Sequence, residues 1–169
     1  LQAGAGIVVT QHILSDNEFS SDLVINADYH TSGDGILTVE ALKAIDTFNS
    51  PISLTAWDLD LSGLIRAGTA AVSVHGSKHL QTIGLGATSK DMHISDLELQ
   101  KITVNGGLRV GGSSGGDIMV NGVTEAGSQT LSPVVSLVAA GDGSEIEFSG
   151  LSSTFTRLSA EANNGVHAT

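Results

Sequence analysis

The chain has 169 residues, and 18 acidic against 7 basic side chains give it a charge of −11, which disfavours nucleic acid and anionic membrane surfaces as partners. Gly (21), Ser (21) and Thr (14) dominate, and with no Cys a disulfide scaffold and a Cys-ligated metal site are excluded. The 40% apolar share is carried by Val, Leu, Ile and Ala, too much for a disordered chain, yet no run approaches the roughly 20 residues of a membrane span.

Along the chain, aliphatic pulses of three to five residues alternate with polar ones. They begin with Ile7-Val8-Val9 and Leu23-Val24-Ile25, and continue through Leu59-Asp60-Leu61, Val72-Ser73-Val74 and Met92-His93-Ile94. Leu108-Arg109-Val110, Ile118-Met119-Val120 and Ile146-Glu147-Phe148 follow. A period of two, broken at short intervals by turn residues, predicts many short strands. Asn105-Gly106, Asn121-Gly122 and Asn164-Gly165, with Asp34-Gly35 and Asp142-Gly143, are expected to supply positive φ at tight corners. From Val39 to Phe48 an amphipathic helix through Ala41, Leu42, Ile45 and Phe48 is the competing reading.

Self-similarity argues against that helix. Leu42-Lys43-Ala44-Ile45 matches Leu99-Gln100-Lys101-Ile102 and Phe155-Thr156-Arg157-Leu158, with intervals of 57 (45 to 102) and 56 (102 to 158). Leu59-Asp60-Leu61-Ser62-Gly63 likewise corresponds to Ile118-Met119-Val120-Asn121-Gly122, and Ala67-Gly68 to Ala126-Gly127. One domain over residues 1–169 with about three internal repeats (7–51, 52–107, 108–165) is expected, the segment from His75 to Lys90 being a loop-like insertion. A period this long reads as two turns of about 28 residues, each with three short strands. Such a strand buries too little to stand alone. Stacked about 4.8 Å from its equivalent in the next turn, it completes its hydrogen bonds and extends an aliphatic core. The expected fold is all-β, a β-solenoid of about six three-strand coils and a rod roughly 30 Å long.

The run from Ile52 to Gly63, Leu64-Ile65-Arg66-Ala67-Gly68-Thr69, Thr82-Ile83-Gly84-Leu85-Gly86 and Ala139-Ala140-Gly141-Asp142-Gly143 resemble strand-and-turn units of filamentous haemagglutinin-type β-helix proteins. The resemblance is one of pattern over most of the chain. It implies a right-handed parallel β-helix segment of a large, secreted surface or fibre protein. Leu1 in place of Met is read as a processed or cut N-terminus.

Several polar groups are weighed as sites. His75 and His79, with His93, form a possible metal set, against solvated loop histidines. Asp58 and Asp60 alternate with inward Leu59 and Leu61, and Asp34, Asp117 and Asp142 adjoin glycines at corners. Calcium held by Asp58, Asp60 or Asp117 stands against plain turn-forming Asp, as does a calcium-turn reading of Gly111 to Ile118. Asp58, Asp60, Asp117 and Arg109 could gather on one face for chemistry on a uronate, but bases are few. Trp57 and Tyr29 are the candidate stacking aromatics, Trp57 reading rather as a corner cover. Thr10, Thr38, Thr55, Thr103 and Thr124 would have to align to make an ice-binding ladder.

The expectation is therefore a non-enzymatic extracellular module without cofactor, serving as spacer, stalk or fibre subunit. Its partners are expected to be copies of itself, stacked head to tail, or neighbouring repeats of a longer chain, since an unpaired strand layer invites another. The strand-like Gly165-Val166-His167-Ala168-Thr169 fits that role. The alternative is an adhesin-type module that recognises cells or glycans through the 75–90 loop.

Overall fold

A computed structural model describes residues 1–15 and 21–169. The chain enters through β1 (Ile7–Val9), β2 (Ile13–Leu14), β3 (Leu23–Asn26), β4 (Ile36–Val39), β5 (Ala44–Asp46) and β6 (Ile52–Ala56). It continues through β7 (Asp58–Leu61), β8 (Leu64–Arg66), β9 (Val72–Gly76), β10 (Ile83–Gly86) and β11 (Met92–Ile94). The helix α1 (Asp96–Leu99) precedes β12 (Ile102–Thr103), β13 (Leu108–Gly112) and β14 (Ile118–Asn121). After the helix α2 (Glu125–Ser128) come β15 (Val135–Ala139), β16 (Ile146–Phe148), β17 (Leu158–Ala162) and β18 (Val166–Ala168). The protein is all-β, and every strand pair among the described residues is parallel.

Four sheets result. The largest runs β3-β6-β9-β13-β15-β17, and a four-stranded sheet runs β2-β5-β8-β12. The other two are β1-β4-β7 and β11-β10-β14-β16-β18. Their registers hold like residues in columns. Ile13, Ile45, Ile65 and Ile102 face one another in the four-stranded sheet. Ile25, Leu54, Val74, Val110, Leu137 and Ala160 do so in the six-stranded one. Alternation puts these columns inside: β6 and β9 bury Ile52, Leu54, Val72 and Val74 while Ser53, Thr55, Ser73 and His75 stay partly exposed. The core is one cluster of aliphatic side chains plus Met92, and each fully buried Val, Leu or Ile favours folding by about 1.5–3 kcal/mol.

Ile45 and Ile102, 57 residues apart, share the four-stranded sheet with Ile65 between them. The third anchor is displaced: Leu158 pairs with Val135 in the six-stranded sheet. Similarly, Ala67-Gly68 lies at a corner after β8, whereas Ala126-Gly127 lies within α2. Short apolar triplets are interchangeable among faces, so sequence matching slips by one face. No helix spans Val39 to Phe48; β4 ends at Val39, the chain turns, and β5 begins at Ala44. Leu42 adopts φ 65° in that turn and is 91% exposed, so of the apparent apolar face only Ile45 is buried. The two helices that do form are single turns, α1 closed by a capping box between Ser95 and Glu98.

The segment from His75 to Lys90 is not a loop. It contains the end of β9 and all of β10, whose four residues are buried. β10 pairs on one side with β14 and on the other with β11, which follows it directly in the chain. Among the expected corners, Gly122, Gly143 and Gly165 have positive φ, while after Asn105 it is Gly107 (φ 96°) rather than Gly106 that does. Gly35 is required for a different reason: a Cβ there would lie 2.2 Å from the Ala27 carbonyl oxygen.

Candidate functional site

The outward face of the six-stranded sheet carries a register column of Val24, Ser53, Ser73, Arg109, Ser136 and Ser159. Arg109 is the one long polar side chain in that column, and it is exposed. A cleft of about 420 Å³ opens on one side of it, lined by Thr55, His75, Ser113, Ser114 and the backbone of Gly76, Gly112 and Gly115. A second, of about 280 Å³, is lined by Arg109 with Ser136, Ser159 and Glu161 among others. Neither an ion pair nor a hydrogen bond engages the Arg109 guanidinium among the described residues.

His75 sits half-buried beside it, its Nδ1 2.9 Å from the Gly111 carbonyl oxygen. A carbonyl only accepts, so Nδ1 carries a proton, and the neutral ring presents an unprotonated Nε2. Burial lowers the affinity of this ring for a second proton, the hydrogen bond to Gly111 acts the other way, and the Arg109 charge lowers it further; the balance lies below the usual histidine value. His75 is therefore neutral at pH 7. The turn from Gly111 to Gly116 supports the arrangement: Gly111 takes φ 86°, and a side chain on it would strike the Val138 carbonyl oxygen.

A second polar cluster closes the corner after β3. Asp28 is fully buried; its Oδ1 accepts from the Ser32 N–H and hydroxyl, and its Oδ2 from the Gly33 N–H and the Ser77 hydroxyl. Gln81, also buried, donates through Nε2 to the Trp57 carbonyl. Lys78 bonds the Ser32 carbonyl oxygen and lies 5.4 Å from the Trp57 ring centroid, close enough for a cation–π contact. Trp57 thus covers a corner. Tyr29 is exposed and meets His30 edge-on. This cluster is satisfied internally and organises a turn.

The third arrangement joins β7 to β11, which share no backbone ladder. Asp58 Oδ1 accepts from the His93 N–H at 2.8 Å, and Glu98 Oε1 from the Leu61 N–H at 3.1 Å. Carboxylates thus stand in for missing carbonyl partners. Burial pushes the Asp58 carboxyl up and the Glu98 charge adds to this, outweighing the N–H groups of His93 and Leu59 and the His93 ring, so it titrates above the usual range.

The residues singled out in the sequence are dispersed rather than assembled. Asp60 is exposed on β7, Asp58 is tied to His93, and Asp117 accepts from the Glu145 N–H before β14. Asp58, Asp60 and Asp117 are therefore not brought together, and Arg109 on β13 lies on a different sheet from Asp58 and Asp60 on β7. His93 bonds the Gly86 carbonyl oxygen through Nε2, His75 bonds Gly111, and His79 is exposed. Among the described residues no three His, Asp or Glu side chains form a metal-holding group. Thr38, Thr55 and Thr103 occupy three different sheets, and Thr124 caps α2, so no threonine ladder forms. Asp34 receives the Ser32 hydroxyl, while Asp142 is exposed beside Gly143.

Asp28, Gln81 and Glu98 escaped the sequence reading. A buried acid tied to Ser77, 49 residues away, leaves no periodic trace, although Ser95 and Glu98 do carry the spacing of a capping box. The outward serine column was equally hidden, since its register depends on strand pairing. Comparison with known protein families, with curated proteins and with solved structures finds no match for this chain.

Proposed function

We propose that the four parallel sheets are faces of one right-handed parallel β-helix of about six three-strand coils, related to the filamentous haemagglutinin-type repeats. In this reading the chain is a non-catalytic structural segment of a large extracellular surface or fibre protein. The column Ile13-Ile45-Ile65-Ile102 carries the reading, because successive windings of one ribbon bring such residues into register. Parallel crossovers are right-handed in nearly all proteins, which supports the hand.

End-to-end stacking, or continuation in a longer chain, follows from the last layer. β17 and β18 each pair on one side only, and Leu158 and Val166 remain 40% and 47% exposed. An unpaired parallel edge with exposed aliphatic side chains is a template for another strand. Sedimentation across a concentration series, with amide exchange at β17 and β18, tests this. Concentration-dependent growth with protection of the Ala160 and Val166 amides is expected. A monomer at high concentration whose edge amides are already protected contradicts it.

A second reading, a module that recognises cells or glycans through residues 75–90, is favoured by the cleft that His75 lines. Since β10 is buried, the exposed parts open to contact are the turns flanking it, around His79 and Ala87. Attachment that disappears when the turn at 77–80 is altered, in a protein with an unchanged melting curve, supports this reading over a purely mechanical one.

A further inference from the structure

We propose that the cleft beside Arg109 binds a carboxylated sugar, a hexuronate unit, with its carboxylate on the guanidinium and a ring hydroxyl donating to His75 Nε2. This deepens the second reading above and rests on it.

The chemistry of the lining selects the ligand. In a chain with 18 acidic residues, no carboxylate among the described residues lines this cleft. Arg109 offers a planar pair of donors with no competing partner, the geometry that engages a carboxylate through two parallel hydrogen bonds. His75 is neutral, and its Nδ1 proton is committed to Gly111, so the atom it can offer is an acceptor, Nε2. An anion alone has no proton for that atom; a hydroxyl has. Thr55, Ser113 and Ser114 add hydroxyls, and the Ser113 and Ser114 N–H groups donate to no described residue.

Two alternatives fit less well. A peptide would need an apolar pocket for an anchoring side chain, and among the described residues no Val, Leu, Ile, Met, Phe, Tyr or Trp side chain lines this cleft. A dense polyanion is repelled by the net charge of −11. A ligand with one carboxylate per sugar, surrounded by hydroxyls, matches a single Arg set among serines. The neighbouring cleft, with Ser136, Ser159 and Glu161, suits the neutral hydroxyls of an adjoining sugar.

The test is an amide chemical-shift titration of the whole chain with trigalacturonate, compared with its methyl ester, with maltotriose and with acetate. Trigalacturonate is expected to shift the Gly112, Ser113 and Ser114 amides. The ester, maltotriose and acetate should each bind at least roughly tenfold more weakly, the loss that follows from removing a charge-assisted or multiple hydrogen-bond set. Arg109→Gln, at an exposed position, should weaken trigalacturonate by a similar factor with an unchanged melting temperature. Equal binding of acid and ester, no shifts at all, or undiminished binding by Arg109→Gln would overturn the proposal. Attachment to cells or neutral glycans that survives in Arg109→Gln refutes the uronate assignment alone. Attachment lost neither by this change nor by altering the turn at 77–80 defeats the second reading itself.

Discussion

Replacing Asp28 by Asn is nearly isosteric, yet it exchanges one of two acceptor oxygens for an NH₂ donor in a fully buried corner. Whichever way the amide is set, its nitrogen meets a backbone N–H, that of Ser32 on one side or Gly33 on the other. Those donors cannot rotate away, whereas the Ser32 and Ser77 hydroxyls can reverse to accept. At least one buried N–H is therefore stranded, and the remaining bonds lose the strength that the charge gave them. A stranded buried group costs about 1–3 kcal/mol and a bond to a charge contributes about 1.5–3 kcal/mol, so a loss of about 2–4 kcal/mol is expected. That is a large part of the roughly 5–15 kcal/mol that stabilises a domain. Urea unfolding should show a lowered midpoint with an unchanged slope. The pH dependence adds a check. Burial pushes the Asp28 carboxyl up, but the hydrogen bonds from Ser77, Gly33 and Ser32 outweigh it and hold the group below the usual aspartate range. The folded protein thus binds this proton less tightly than the unfolded chain. The contribution of Asp28 is full above the usual range and is lost as pH falls through the lower folded value. The deficit of Asp28→Asn should accordingly be constant near neutrality and shrink only in strong acid. A change below about 0.5 kcal/mol at pH 7 would refute the picture of a carboxylate organising this corner.

Asp58→Ala strands the His93 N–H and should destabilise by about 1–3 kcal/mol in the same unfolding assay, whereas Asp58→Asn keeps an acceptor oxygen. Because the Asp58 carboxyl titrates above its unfolded value, its ionised form opposes folding near neutrality, and this opposition fades as pH falls through the folded value. Asp58→Asn should therefore equal or exceed the parent in stability at pH 7 and lose that advantage towards pH 4. Leu42→Gly, at φ 65° and 91% exposed, should raise the melting temperature, since a left-handed residue with a Cβ carries about 1–2 kcal/mol of strain. Gly68→Ala should do the opposite and lower stability by about 3 kcal/mol or more, as a Cβ there would lie 1.5 Å from the Phe48 carbonyl oxygen.

The short strands and their alternation were legible because a period of two with one buried face is written directly into residues such as Ile52, Leu54, Val72 and Val74. The spacing from Ile45 to Ile102 was legible for a related reason: neighbouring strands of the four-stranded sheet ask for the same side chain. What failed was assignment to faces. Leu158 matched Ile102 in its neighbours but sits on another sheet, because the core accepts any aliphatic triplet equally well. The His75–Lys90 segment misled through its polar ends, since Gly76-Ser77-Lys78-His79 looks like a loop while Ile83-Gly84-Leu85-Gly86 lies buried. Among the site residues, the sequence groups His75 with other histidines and Arg109 with acids, never with each other. Their proximity depends on the pairing of β9 with β13, which no local pattern contains.

The β7 to β11 junction shows how carboxylates complete the edges of two sheets that share no ladder. β11 follows β10 in the chain yet lies on its far side from β14, next to β7, so the order of strands on this face departs from the order in sequence. β7 and β11 share no ladder, and an N–H stranded between them would cost as much as any other buried donor. Asp58 and Glu98 supply the acceptors, one from each side of the gap, and α1 holds Glu98 in place through its bonds to Ser95. The same constraint limits where polar side chains can vary. Inward positions are bound to aliphatic columns, so variation is free only in corners and on outward faces. There an Arg in a serine column changes chemistry without disturbing the strands paired on either side of it.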